Sequence, residues 1–190
     1  MTKICLVRHG ETDWNALRRI QGREDIPLNE NGRKQAVDCG VYLKDHQFDY
    51  LISSPMTRAK QTATLINEHL GFEEIIEMEA FMERDYGEVS GQIIDDNLRE
   101  ILDKDHPTIE SWDALKERVM KGLHMIHEKY PNKSILLVAH GGVINAILGA
   151  LSNGEIGSGK TKLMNGSITT IHFRNELWNI NDYNLVVHLS

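Results

Sequence analysis

The sequence predicts an α/β fold with a largely parallel sheet covered by helices on both faces. Three observations carry this reading. Short apolar runs with strand character alternate with helical periodicity through most of the chain. Two of those runs end alike: Cys5-Leu6-Val7 passes into Arg8-His9-Gly10, and Ile135-Leu136-Leu137-Val138-Ala139 into His140-Gly141-Gly142. Near the C-terminus the pattern changes, and two strand-like runs follow one another directly.

Taken in order, residues 4–7 form the first strand. Residues 32–44 place Ala36, Gly40 and Leu43, with Val37 and Val41, on one helical stripe. Residues 50–53 read as the second strand. Ser54-Pro55 then predicts a helix start, because serine caps well and proline suits the first helical position. Ala59, Ala63, Ile66 and Leu70 line the inner face of that helix, and Gly71 ends it. Residues 74–78 form a short third strand. The acid-rich stretch 84–110 has little periodicity, so a lid or crossover segment is expected at about 84–111. Leu115, Val119, Leu123 and Ile126 mark an amphipathic helix before the strand at 135–139. Residues 143–151 are apolar nearly all round, which predicts a buried helix. Residues 167–173 and 177–180, separated by Arg174-Asn175-Glu176, predict an antiparallel hairpin at the sheet edge. No repeat or linker divides the chain, so residues 1–190 are expected to form one domain.

Bulk properties narrow the function. A chain of 190 residues, 41% hydrophobic and 26% charged, can bury one sizeable core. Its net charge of −7 argues against nucleic acid as a partner. An anionic substrate then needs a local positive site. Cys5 and Cys39 form neither a Cys-x-x-Cys pair nor a staple framework, which suits a reducing cytoplasm. Strand sequence begins within the first few residues, leaving no room for a signal peptide, and no apolar stretch approaches the ~18 residues of a membrane span. A cytoplasmic protein without membrane partners is expected, as a monomer or as a homodimer paired through the hairpin edge.

A strand delivers the residues that follow it to its carboxyl end, where open α/β sheets bind ligands. Here those residues are Arg8, whose planar fork matches phosphate bidentately, and His9, a nucleophile when unprotonated. Phosphoryl transfer without a metal demands positive groups on the phosphate oxygens, an in-line nucleophile and an acid for the leaving oxygen. Arg8 and Arg58 supply the positive charge. Arg58 falls in the first turn of its helix, whose N-terminal donors also point toward an anion. His140 donates to the phosphoryl oxygens as charge develops. Glu83, in Phe81-Met82-Glu83-Arg84-Asp85-Tyr86-Gly87, protonates the leaving oxygen, with Asp85 and Glu88 as alternates. No cofactor is called for. His124 and His127 are three apart on a helix but have no third ligand, so no metal site is expected.

Arg8-His9-Gly10-Glu11-Thr12-Asp13-Trp14-Asn15 resembles the signature of the histidine phosphatase superfamily, which includes cofactor-dependent phosphoglycerate mutases. Ser53-Ser54-Pro55-Met56-Thr57-Arg58-Ala59-Lys60-Gln61-Thr62-Ala63 is similar to its second block. Glu83-Arg84-Asp85-Tyr86-Gly87 and Ala139-His140-Gly141-Gly142 resemble the third and fourth. The resemblance implies a three-layer α/β/α sandwich and a phosphohistidine intermediate on His9 that water hydrolyses. It implies a phosphate pocket of Arg8, Arg58, His140 and Gly141, with Asn15 assisting and with Gln21 and Gly22 on the substrate side. The implied activity is metal-independent hydrolysis of a small phosphorylated metabolite. Within the superfamily, the short interval from Arg84 to Ala139 lacks the paired arginines with which mutases hold a second phosphate. The chain therefore resembles the small bacterial broad-specificity phosphatases, with phosphoglycerate mutase and α-ribazole phosphatase activities as alternatives.

Two readings from other classes stand beside this one. Gly154-Glu155-Ile156-Gly157-Ser158-Gly159-Lys160-Thr161 satisfies the spacing of a nucleotide-binding P-loop. That loop works only between a buried strand and a helix, whereas a helix precedes this stretch and a strand follows it. A loop at the pocket rim, with Lys160 toward an anion, is expected instead. A silent phospho-ligand binding module is the other reading, and the joint presence of His9, Glu83 and His140 counts against it.

Overall fold

The computed structural model describes residues 1–102, 104 and 106–190. Positions 103 and 105 of the expected 84–111 lid lie outside the described residues. Six strands form one sheet: β1 (Thr2–Arg8), β2 (Tyr50–Ser53), β3 (Ile75–Glu77), β4 (Ser134–Ala139), β5 (Ile168–Arg174) and β6 (Leu177–Leu185). Their order is β3-β2-β4-β1-β5-β6, parallel from β3 to β1 and antiparallel across β1-β5 and β5-β6. The helices are α1 (Asp13–Ala16), α2 (Glu30–Leu43), α3 (Thr57–Leu70), α4 (Asp96–Leu102), α5 (Trp112–Lys129) and α6 (Gly141–Leu151).

The alternation of side chains along a strand divides the apolar residues between two layers. Ile4 and Leu6 of β1, with Ile135, Leu137 and Ala139 of β4, pack against the α5 and α6 side chains Leu123, Ile126, Val143 and Ile147. Cys5 and Val7, with Leu136 and Val138, pack against Cys39 and Leu43 of α2 and Ala59, Ala63 and Ile66 of α3. Burial on both faces explains why β1 and β4 read as unbroken apolar runs.

β1 and β4 are neighbours in register, with Arg8 opposite Ala139. Their outgoing connections diverge: from β1 the chain crosses through α2 to β2, and from β4 through α6 to β5. Such a switch point leaves a crevice at the carboxyl ends of the strands, and His9 and His140 are the first residues beyond the paired ends.

Local chemistry sets most element ends, and several depart from expectation, among them β6, which runs five residues past 180 to Leu185. α2 starts earlier than residue 32 because Asn29 caps it, its Oδ1 accepting the Gly32 N–H at 2.8 Å. α3 starts at Thr57, two residues beyond Pro55. The Ser54 hydroxyl is engaged elsewhere, contacting His140 Nε2 at 2.7 Å and accepting the Met56 N–H at 3.3 Å. Gly71 does end α3, in the left-handed conformation at φ 74°. Residues 84–110 are more ordered than their composition suggests. They hold a 3₁₀ turn (Gly87–Val89) and α4, stapled by a small cluster of Ile20, Val89, Leu98 and Ile109. The hairpin loop is two residues, Asn175 and Glu176, both at positive φ, with Arg174 still in β5. No described helix is long and apolar enough to cross a membrane.

Gly10 is required for a reason other than ligand approach. A Cβ there would lie 2.2 Å from the Gly32 carbonyl oxygen, because the start of α2 rests directly on the backbone that follows β1.

Candidate active site

Arg8, His9, Asn15, Gln21, Gly22, Arg58, Glu83 and Gly141 all line one cleft of about 280 Å³ at the switch point. His140 is fully buried beside it, its ring centroid 5.2 Å from that of His9 at 59°. The residues expected to bind phosphate and to catalyse are thus brought to one place, whereas the alternate acids Asp85 and Glu88 are not in the lining.

His9 Nδ1 lies 2.7 Å from the Gly10 carbonyl oxygen. A carbonyl only accepts, so the proton sits on Nδ1 and the lone pair on Nε2. Arg58 Nε donates to that Nε2 at 3.3 Å. Burial, then the Arg58 and Arg8 charges, hold His9 well below the ordinary histidine range. The imidazole is therefore neutral at pH 7, with an unprotonated Nε2 whose lone pair faces the cleft beside Arg58.

Arg58 is nearly inaccessible. Its Nη1 and Nη2 donate to the Glu24 and Gly22 carbonyls at 2.8 and 2.7 Å. Burial pulls its pKa down to about 10, and it stays charged. Arg8 Nη1 donates to the Leu163 carbonyl, while its buried Nε has no partner among the described residues. The two arginines present a fixed positive wall, and among the described residues no carboxylate is bonded to either. The α3 N-terminus, by contrast, does not serve an anion in the cleft as anticipated: Asp25 takes the Thr57 N–H at 2.8 Å and its hydroxyl at 2.6 Å.

Glu83 is clamped by backbone donors. Oε1 accepts the Arg84 N–H at 2.8 Å, and Oε2 accepts the Gly142 N–H at 3.0 Å, in the first turn of α6. Gly142 must be glycine for this contact, since a Cβ would lie 2.4 Å from Oε1. His140, on the other side, meets the Ser54 hydroxyl through Nε2, and its buried Nδ1 has no partner among the described residues. Burial, followed by Arg58, His9 and Arg8, keeps His140 neutral as well.

Several lining residues escaped the sequence reading. Arg19, Ile20, Ile94 and Leu102 form the outer wall, and burial pushes the Tyr86 phenol above its ordinary pKa, so it stays protonated there. Asn145 of α6, Thr161, Lys162 and Leu163 close the opposite side. Tyr86 could have been found, since it stands in the third motif, as could Ser54, which meets His140 from behind the cleft; Asn145 falls in the predicted 143–151 helix, and the rest lie outside the motifs. The 154–161 stretch follows α6 and leads to β5, so it lacks the strand before and the helix after that a P-loop needs. Lys160 Nζ turns back onto the Gly154 carbonyl, and Thr161 alone of that stretch reaches the cleft.

Comparisons with known proteins show what the chain is similar to. The family model for the histidine phosphatase superfamily (branch 1) matches residues 4–186. The chain is 45% identical over 190 residues to a Bacillus subtilis protein named uncharacterized phosphatase PhoE, covering all of this chain and 98% of that one. It is 35% identical over 207 residues to the metal-independent phosphoserine phosphatase of Arabidopsis thaliana, covering all of this chain and 84% of that one. A crystal structure of a mutant phosphoserine phosphatase from Entamoeba histolytica in complex with phosphoserine superposes with a TM-score of 0.88 at 32% identity, covering both chains completely.

Proposed function

The chain belongs to the histidine phosphatase superfamily, and on that premise we propose that it hydrolyses small phosphomonoesters through a phosphohistidine on His9. The observation that carries this reading is the His9 ring itself: its proton is fixed on Nδ1 by the Gly10 carbonyl, and its Nε2 faces Arg58 in a cleft that Arg8 also lines.

In the first step the Nε2 lone pair attacks phosphorus and the P–O ester bond breaks. Glu83 gives its proton to the departing oxygen. Arg8 and Arg58 hold the equatorial oxygens, whose charge no metal is needed to balance. The Ser54 hydroxyl accepts the Met56 N–H and meets His140 Nε2 at 2.7 Å; where that hydroxyl donates, the His140 proton sits on Nδ1 as a further donor. In the second step Glu83, now a carboxylate, takes a proton from water. The resulting hydroxide attacks phosphorus, the P–N bond breaks, and phosphate leaves with His9 restored. Water as the acceptor, rather than a second substrate hydroxyl, is supported by the relatives named phosphatases.

The substrate class follows from the cleft and from the relatives. Arg19 and Lys162 add positive charge at the mouth, beyond the two arginines at the phosphoryl end. Small anionic phosphomonoesters suit such a cleft, phosphoserine and 3-phosphoglycerate being the ligands held by solved relatives.

The test is p-nitrophenyl phosphate hydrolysis in excess EDTA by the native protein and by His9→Ala. Turnover that survives EDTA and disappears in the variant is expected. Activity that requires magnesium, or that persists in His9→Ala, overturns the proposal.

A further inference from the structure

The four blocks of the histidine phosphatase signature all end before residue 151, yet the wall behind His9 is built by residues 163–167, ahead of β5. Arg8 donates its backbone N–H to the Ser167 carbonyl at 3.0 Å, and the Gly166 N–H donates to the Arg8 carbonyl at 3.0 Å. At the centre stands Asn165. Its Nδ2 donates to the His9 carbonyl at 3.1 Å and to Asn15 Oδ1 at 3.1 Å.

These bonds decide how two side-chain amides are turned. A peptide carbonyl only accepts, so the Asn165 atom facing His9 must be the amino group. The Asn15 atom that meets this amino group also accepts the Thr12 N–H at 3.1 Å, so it must be oxygen. The Thr12 hydroxyl lies 3.1 Å from the same atom, but its hydrogen is directed to Gln21 Oε1 at 2.8 Å. With its oxygen held from two sides, Asn15 has its own amino group left for the cleft it lines. Turned the other way, the amide would present lone pairs to an anion.

We propose that Asn165 is a positioning residue of the phosphoryl pocket, locking the Asn15 amide with its amino group toward the substrate phosphoryl and tying that donor to the backbone of the nucleophile. Asn165 does not itself line the cleft and acts through Asn15. The inference rests on the proposed phosphatase reaction at His9. Replacing Asn165 by Asp would set a carboxylate against two acceptors. Asn15 would then rotate to give its amino group to residue 165, and its oxygen would face the phosphoryl group.

The test is a double-mutant cycle on p-nitrophenyl phosphate, with inorganic phosphate as a competing ligand, using Asn15→Ala, Asn165→Ala and the double variant. Each single variant is expected to lose about tenfold or more in kcat/KM, toward the ~10²-fold cost of one directed donor. The double variant should be no worse than Asn15→Ala by more than about twofold, because the two groups act as one unit. Asn165→Asp, close in shape, should fall below Asn165→Ala at pH 7.5. It should recover relative to the native protein as the pH falls toward the aspartate range near ~4. Multiplicative losses in the double variant, an Asn165→Ala activity within about twofold of native, or an Asn165→Asp profile parallel to the native one would overturn the inference. Should Asn165→Ala not fold, the Asn165→Asp profile alone decides. Loss of the native-versus-His9→Ala contrast in EDTA would instead refute the underlying reaction, so the two failures are distinguishable.

Discussion

Substituting Gly142 by Ala moves the proposed acid without touching the nucleophile. The new Cβ would lie 2.4 Å from Glu83 Oε1 and 3.2 Å from its carboxyl carbon, so the carboxylate must shift by several tenths of an ångström or more. Misplacement of a reacting group by ~1 Å costs about 10²-fold, and loss of a general acid about 10²–10⁴-fold. The stability change is small. One weakened hydrogen bond to Oε2 costs about 1 kcal/mol, and Gly→Ala within a helix returns roughly 0.5–1 kcal/mol. The melting temperature should therefore move by less than about 3 °C. The assay compares two substrates. Phosphoserine has an alkoxide leaving group that needs a proton, whereas nitrophenolate leaves as a stable anion. Gly142→Ala should lose about 10²-fold in kcat/KM, which reports the first phosphoryl transfer and not the shared hydrolysis of the phosphoenzyme, on phosphoserine and less than about tenfold on p-nitrophenyl phosphate. Equal losses on both, or none, would refute Glu83 as the acid held by this backbone donor.

Three further outcomes follow from burial. His9 and His140 are both held below the ordinary histidine range, so the acid limb of kcat/KM should lie below pH 6.5; a profile already falling between pH 7.5 and 6.5 would contradict this. The same depression makes the unfolded chain bind more protons, so stability should be full above pH 6.5 and decline as the pH falls through it, a trend that calorimetry from pH 7.5 to 5 measures. Burial pushes the Cys5 and Cys39 thiols up to about 12, so neither should react with iodoacetamide until the protein unfolds; rapid labelling of the native protein would show the packing around them to be wrong.

What could be read from the sequence follows from physical locality. β1 and β4 are buried on both faces, so each is an unbroken apolar run, and the histidine after each run marks its carboxyl end. Arg58 and Glu83 stand within recognisable blocks. The errors arose where a residue of familiar local use had a distant partner. Ser54 has the chemistry of a helix cap but serves His140, 86 residues away. The α3 N-terminus suits an anion, and Asp25 occupies it. Asn165 carried no signal at all, because its bonds to His9 and Asn15 exist only once β5 folds back antiparallel to β1, with Val7 opposite Ile168. The seven residues of α4 are too few for their periodicity to stand out within an acidic stretch, and its anchor, Ile20, comes from far upstream.

The central claim is the covalent step on His9, and trapping the phosphoenzyme tests it most directly. Native protein mixed with p-nitrophenyl phosphate in EDTA, quenched in alkali within one turnover and digested, should yield a single phosphorylated peptide with the phosphoryl group on His9, absent from His9→Ala. Steady turnover with no phosphoryl group on any peptide, or with the group on another residue, would contradict the account.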